Sequence, residues 1–128
     1  MKLLLDTHAL AWWLMDDSRL TETARKSIAD PGNDVAVSAV SAFEVATKYR
    51  IGKWPAMAEL VTGFPHLVAE QEFSLLPITV SHALLAGRFA AAHRDPFNRL
   101  LAAQAKLDSL VLVTADSAFS QFDIDLLW

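Results

Sequence analysis

Lys2-Leu3-Leu4-Leu5-Asp6-Thr7-His8-Ala9-Leu10 is the stretch on which the architecture turns. An unbroken apolar run closed by a polar residue reads as a strand buried on both faces, as in parallel sheets. After Asp6 the apolar spacing changes to that of Leu10, Trp13 and Leu14, which predicts a helix over Thr7–Met15. A strand that passes into a helix through a single carboxylate begins a βα unit. It also puts Asp6 at the carboxyl end of a strand, where open α/β sheets bind ligands. A second run of this kind, Leu110-Val111-Leu112-Val113-Thr114, leads to Asp116.

The same alternation fills the chain between these runs. Leu20–Ala29 reads as a helix capped by Thr21, ended by the turn Asp30-Pro31-Gly32-Asn33. Asp34–Ser38 alternates and is β-branched, hence a strand. Ser41–Ile51 reads as a helix: Ser41-Ala42-Phe43-Glu44 fits a capping box, and Gly52 fits a left-handed stop. Pro55–Glu72 is expected to form two short helices broken at Gly63 and Pro65, and Phe73–Ile78 a strand shortened by Pro77. Ser81–Ala92 is expected to be a helix with Leu84, Leu85 and Phe89 towards the core. Asp95 and Pro96 read as N-cap and first residue of a helix running to Lys106. Ser117–Phe122 reads as a helical turn and Ile124–Trp128 as an edge strand. Strands alternating with helices predict a three-layer α/β/α architecture around a mainly parallel sheet, with 1–128 as one domain.

Composition narrows the chemistry. With 128 residues and 53% hydrophobic content the chain can bury a core without staples. It has no Cys, which excludes disulfides, thiolate metal sites and Cys nucleophiles. No apolar run approaches the roughly 20 residues that span a bilayer, and Met1 leads directly into a strand; a soluble cytoplasmic protein is expected. The net charge of −4 argues against a general nucleic-acid coat. Yet Lys48, Arg50, Lys53, Arg88, Arg94 and Arg99 bracket the segments holding Glu44 and Asn98, and an acidic centre rimmed by cations suits a phosphodiester.

Asp6, Glu44, Asn98 and Asp116 are the candidate centre: three carboxylates and one amide, all metal-competent. Converging carboxylates repel one another, and a divalent cation is the usual remedy. Each residue also has a plain structural reading. Asp6 and Asp116 can cap the helical segments after them, Glu44 can close a capping box, and Asp95 with Asn98 can simply start a helix. His8, His66, His82 and His93 share no ligand spacing, and only His93, beside Arg94, is a candidate for substrate contact. Trp12, Trp13, Trp54 and Trp128 read as core or interface residues rather than base-stacking platforms.

In combination the motifs resemble PIN-domain ribonucleases, in particular VapC-type toxins of toxin–antitoxin pairs. The opening Leu3-Leu4-Leu5-Asp6-Thr7-His8-Ala9-Leu10 is similar to the first motif of that family. Ser38-Ala39-Val40-Ser41-Ala42-Phe43-Glu44-Val45-Ala46-Thr47-Lys48 is similar to the second, His93-Arg94-Asp95-Pro96-Phe97-Asn98-Arg99-Leu100-Leu101-Ala102-Ala103-Gln104-Ala105 to the third, and Leu112-Val113-Thr114-Ala115-Asp116 to the fourth. The resemblance implies metal-dependent RNA cleavage, with Mg²⁺ or Mn²⁺ held by Asp6, Glu44, Asp116 and the residue at 98. Asp95, Thr7 and Thr114 would be auxiliary, and Lys48, Arg94 and Arg99 would contact phosphate. It further implies an RNA substrate such as tRNA or rRNA, a cognate VapB-like antitoxin covering the active-site groove, and a homodimer. Contact between protomers is expected through Pro55–Phe73 or the Leu84–Phe89 helix.

One position departs from the pattern. The family's third motif reads Asp-Pro-Phe-Asp, and here its second acid is Asn98. An amide keeps the shape and one carbonyl oxygen but loses the charge and presents N–H donors. Impaired or absent catalysis is therefore expected of this chain. Two other classes stay open: an inactive PIN-fold module that binds RNA or antitoxin, and an acid-rich phospho-acceptor with Asp6 as nucleophile. Metal-stimulated cleavage separates the first from a nuclease; phosphoaspartate at Asp6 would mark the second.

Overall fold

The computed structural model describes residues 1–128. Its elements are β1 (Lys2–Leu5), α1 (Thr7–Leu14), α2 (Glu22–Ala29), β2 (Asp34–Ser38), α3 (Ala39–Arg50), α4 (Ala58–Glu70), β3 (Ser74–Leu76), α5 (Val80–Arg88), α6 (Pro96–Leu107), β4 (Val111–Val113) and β5 (Leu126–Leu127). Short 3-10 helices occupy Pro55–Met57 and Ser117–Phe122. The five strands form one sheet in the order β3-β2-β1-β4-β5, every pair parallel. The α/β/α expectation holds, and the sheet is wholly parallel.

Alternation along β1 divides the core in two. Leu3 and Leu5 face a cluster with Val37 of β2 and with Leu10, Ala24, Val45, Leu60 and Val68, contributed by α1 to α4. Leu4 faces the other way, onto Leu101, Ala105, Leu112, Phe119 and Phe122. Full burial of three consecutive leucines is why the run contains no polar residue: neither face of β1 meets water. Strand order reverses at β1, since β2 and β3 extend the sheet one way and β4 and β5 the other. The crevice at such a reversal, beyond the carboxyl ends of β1 and β4, is the ligand position of open α/β sheets.

Two helix boundaries differ from the sequence expectation, each for a tertiary reason. Helix α3 starts at Ala39, because the Ser38 hydroxyl caps it by accepting from Val40 N–H at 2.9 Å. Ser41 therefore lies inside the first turn, where its hydroxyl meets that of Thr7 at 3.0 Å, and no Ser41–Glu44 capping box forms. Glu44 is thus left free of helix capping.

Helix α5 stops at Arg88, four residues early. Arg99 of α6 holds the following chain through the carbonyls of Ala86, Phe89, Ala91 and His93 at 2.7–2.9 Å. The buried positions of α5 are His82 and Ala86, whereas Leu84, expected inside, is 59% exposed. Between Pro55 and Glu72 a 3-10 turn leads into α4, which breaks at Gly63 (φ −120°, ψ 24°) as expected; Pro65 falls just after that break and adds no second one. Gly52 does take the left-handed conformation, at φ 79°.

One buried amide ties the two halves together. Gln104 is fully buried, accepts from the Ser38 hydroxyl at 2.5 Å, and donates to the Pro77 carbonyl at 3.2 Å. Gln104→Leu would strip partners from both groups, and each buried polar group left unpaired costs about 1–3 kcal/mol. Urea unfolding should show a loss of about 2 kcal/mol or more. A neutral Gln104→Leu would mean that water replaces the amide.

Candidate active site

Asp6, Glu44, Asn98 and Asp116 line one cavity of about 190 Å³, together with Thr7, His8, Lys48, Asp95 and Leu101. A larger cavity of about 710 Å³ opens at the opposite end of the sheet, where Lys2, Asp34 and Ser74 begin their strands, and contains none of the four. The smaller one is chemically the more pointed. It stands at the strand-order reversal and gathers residues from β1, α3, α6 and the end of β4.

Asp6 is the fixed point. It directly succeeds β1, and its backbone N–H continues the sheet ladder to Val113 at 3.1 Å. One carboxylate oxygen accepts from Ala9 N–H at 2.7 Å, capping α1; the other accepts from the Thr114 hydroxyl at 2.5 Å. Capping and site placement are therefore the same geometry. Burial pushes the Asp6 carboxyl above the usual carboxylate range, the Glu44 charge adds to this, and the Thr114 and Ala9 hydrogen bonds and His8 oppose it.

Glu44 is 6% exposed, and its Oε2 accepts from Lys48 Nζ at 2.6 Å, one helical turn on. Asp116 is exposed; its Oδ1 caps the 3-10 helix through Ala118 N–H at 2.9 Å. Its Oδ2 accepts from Asn98 Nδ2 at 3.3 Å, and the same amide nitrogen lies 2.9 Å from His93 Nε2. Asp95 caps α6 through Phe97 and Asn98 N–H at 2.9 and 3.3 Å. Thr114 also accepts from Asp116 N–H at 3.0 Å, so a single hydroxyl links the two strand-end acids.

Sequence reasoning placed the four central residues and the auxiliary Asp95, Thr7 and Thr114 around one locus, and the structure brings them together. Arg99 differs from its expected role. Four of its N–H donors go to backbone carbonyls, which makes it a clamp on the 86–93 chain rather than a free phosphate contact. Arg94 is exposed, and Lys48 is committed to Glu44. His8, missed as a site residue, lines the cavity from the position after Thr7; a helix start at a strand-end acid was the available signal.

The oxygens of Asp6, Glu44 and Asp116 suit a hard cation in kind. As arranged, the set does not fit one: no three His, Asp or Glu side chains lie close enough together to hold a metal ion. Lys48 satisfies Glu44, and the Asn98 amide directs a donor where a cation would need an acceptor.

The pH dependence of stability is governed here by Asp6. Its folded-state pKa lies above the unfolded value of 3.8. Its contribution is present below that value and is lost as pH rises through the raised one, so the ionised carboxylate destabilises the fold at neutral pH. Asn caps helices as well as Asp. Asp6→Asn should therefore raise the thermal midpoint at pH 7 and lose this advantage near pH 3.5. A midpoint at pH 7 no higher than the parent's would overturn the assignment of burial as the dominant effect.

Comparisons with known proteins agree with this geometry. The PIN domain family matches residues 3–125. Among solved structures, VapBC2 from Rickettsia felis, bound to a DNA fragment from its promoter, superposes with a TM-score of 0.73 at 13% identity, over 100% of this chain and 99% of the other. VapBC-1 from nontypeable Haemophilus influenzae gives 0.70 at 16% identity over 99% and 97%. FitAcB from Neisseria gonorrhoeae gives 0.64 at 18% over 98% and 96%. No curated protein matches at a significant level. With a parallel sheet reversing at β1, acids gathered beyond its carboxyl edge and a match over nearly the whole length, the chain belongs to the PIN domain family.

Proposed function

We propose that this chain is a VapC-like endoribonuclease toxin whose cation centre is disabled by Asn98, acting in the cytoplasm under the control of a cognate VapB-like antitoxin. The observation carrying this reading is the convergence of Asp6, Glu44, Asn98 and Asp116 on one small cavity at the strand-order reversal. With an aspartate at position 98, Asp6, Glu44 and Asp116 would join it in holding Mg²⁺ or Mn²⁺, which would activate water and offset charge on the scissile phosphate. This chain contributes the scaffold. Asp6 stands on a rigid strand end, Thr114 orients it, and Lys48 places a positive charge beside Glu44, within reach of an incoming phosphate.

The amide at position 98 takes over the electrostatic task of a cation. Its N–H group bridges to Asp116, so the acidic cluster is stable without metal. An aspartate there would face Asp116 across the same gap, and two like charges at such a separation need a counterion.

The proposed antitoxin would lie over the groove and present a cation to the acids. Dimerisation is best placed on α5. Val80 and Leu84 there are 77% and 59% exposed, with Leu75 and Ile78 exposed nearby, whereas Leu60, Phe64 and Val68 of α4 are consumed by the protein's own core.

Asn98→Asp tests the reading in two ways. In chelator its thermal midpoint should fall below the parent's, and Mn²⁺ or Mg²⁺ should raise it while leaving the parent unmoved. Saturation at 100 times Kd corresponds to about 2.7 kcal/mol. On total cellular RNA with Mn²⁺ the variant should cleave at least about 100-fold faster than the parent, the scale of restoring one charge-stabilising group. Adding Glu44→Gln should remove the gain. If Asn98→Asp neither binds the ion nor cleaves RNA, the chain is a binding module rather than a disabled nuclease.

A further inference from the structure

A row of aromatic rings leads away from the acidic cavity. His8, which lines the cavity and is exposed, stacks on Trp54 with centroids 4.9 Å apart and planes at 25°. His8 also meets Trp12, at 5.6 Å with the planes tilted by 55°, and Trp12 meets Trp128 at 5.7 Å. Two cations adjoin the row: Lys48 Nζ lies 5.8 Å from the Trp54 ring centre, and the Arg19 guanidinium, paired with Asp17, lies 5.1 Å from that of Trp12.

The row is assembled from separate parts of the chain. Trp54 is folded back over α3 by the left-handed Gly52, with the Lys48 carbonyl accepting from both Lys53 and Trp54 N–H at 2.9 and 3.2 Å. Trp12 comes from α1 and Trp128 from the residue after β5.

Packing explains part of this, since the three indoles rest against the core beneath α1. It leaves two features unexplained. The ring nearest the acids is the most polar and the most exposed of the row. Further, Trp13 donates its indole N–H to Gln71, while Trp12, Trp54 and Trp128 donate to no protein acceptor. No buried side-chain donor lacks a partner, so those three N–H groups are open to solvent. Half-buried rings with free donors at the mouth of an acidic cavity form a surface that accepts a planar heteroaromatic ligand.

We infer that His8, backed by Trp54 and flanked by Lys48 and Trp12, is a stacking subsite for one unpaired nucleotide at the mouth of the acidic cavity. This rests on the nuclease reading and names the residues of this chain that would hold a base. The base must leave its neighbours to lie on the imidazole, so the ligand is single-stranded; a duplex cannot present a free base face there. Lys48 joins this subsite to the acids, because its ammonium touches both Glu44 and the face of Trp54.

The chain as it stands, with Asn98, suits a binding experiment in chelator. The probe is a 12-nucleotide single-stranded RNA of mixed sequence, compared with the same RNA in a duplex, with indole fluorescence and equilibrium Kd as readouts. Single strands should quench the fluorescence and bind more tightly than the duplex. Base–aromatic stacking sets the expected loss for His8→Ala and for Trp54→Ala at roughly 5- to 150-fold in Kd, with Trp54→Phe restoring most of it. His8 is exposed, so His8→Ala tests the idea even if Trp54→Ala loosens the fold.

Single-strand affinity unchanged in both His8→Ala and Trp54→Ala overturns the inference and leaves the row as packing or as a protein-binding face. The same substitutions in the Asn98→Asp chain separate this failure from failure of the nuclease reading. Cleavage that persists with unaltered KM sinks only the stacking subsite, whereas absence of both cleavage and RNA binding in Asn98→Asp sinks both.

Discussion

The hydrogen bond from Thr114 to Asp6 joins residues 108 apart in sequence and closes the carboxyl ends of β1 and β4 into one site. The Thr114 hydroxyl gives its proton to Asp6 and accepts from the backbone of Asp116, so one oxygen sets the relation between the two strand-end acids. Asp6 has both oxygens engaged, by Thr114 and by Ala9, in a place where burial disfavours its charge. Such a carboxylate persists only because the surroundings over-determine it. The parallel sheet supplies that constraint, since β1 is hydrogen-bonded on both sides and all its leucines are fully buried.

Around this point the other two acids each have a donor from the protein itself. Glu44 has Lys48, and Asp116 has the Asn98 amide, itself tied to His93. The result is a cluster balanced by the protein's own donors. A nuclease site of this kind requires the opposite: unmatched negative charge that only a cation relieves. The difference between the two states is a single heavy-atom exchange, NH₂ for O, at the first turn of α6. Because α6 is also held by the Asp95 cap and anchored through Gln104, such an exchange alters charge without moving the backbone.

The strands were legible because each is a short apolar run with a polar stop, and the four site residues because they come just after such stops or open a helix beside them. Helix boundaries were less so, for reasons that lie outside the helices themselves. Ser38 and Ser41 are equally good caps in sequence, and the choice falls to Ser38 because Gln104 and Thr7, both distant in sequence, fix the two hydroxyls differently. Leu84 fits the apolar face of α5 by spacing alone, but the helix turns His82 and Ala86 inward. Arg99 read as a free cation because composition cannot show that four carbonyls await it.

Chemistry and recognition sit on different kinds of support in this fold. The acids stand at strand ends and first helical turns, where the backbone is fixed by the ladder and by caps. The aromatic row rises from α1, from the loop around Gly52 and from the end of β5, and its rings are only half buried. A hydrolytic centre must place atoms to within fractions of an ångström, whereas a stacking platform tolerates any base because every base has a π-face. Under the proposed nuclease function, this separation lets residues of the row vary without disturbing Asp6. Lys48 is the one side chain that cannot be reassigned so freely: it holds Glu44 and lies against Trp54, so binding at the row and charge at the centre are coupled through its ammonium.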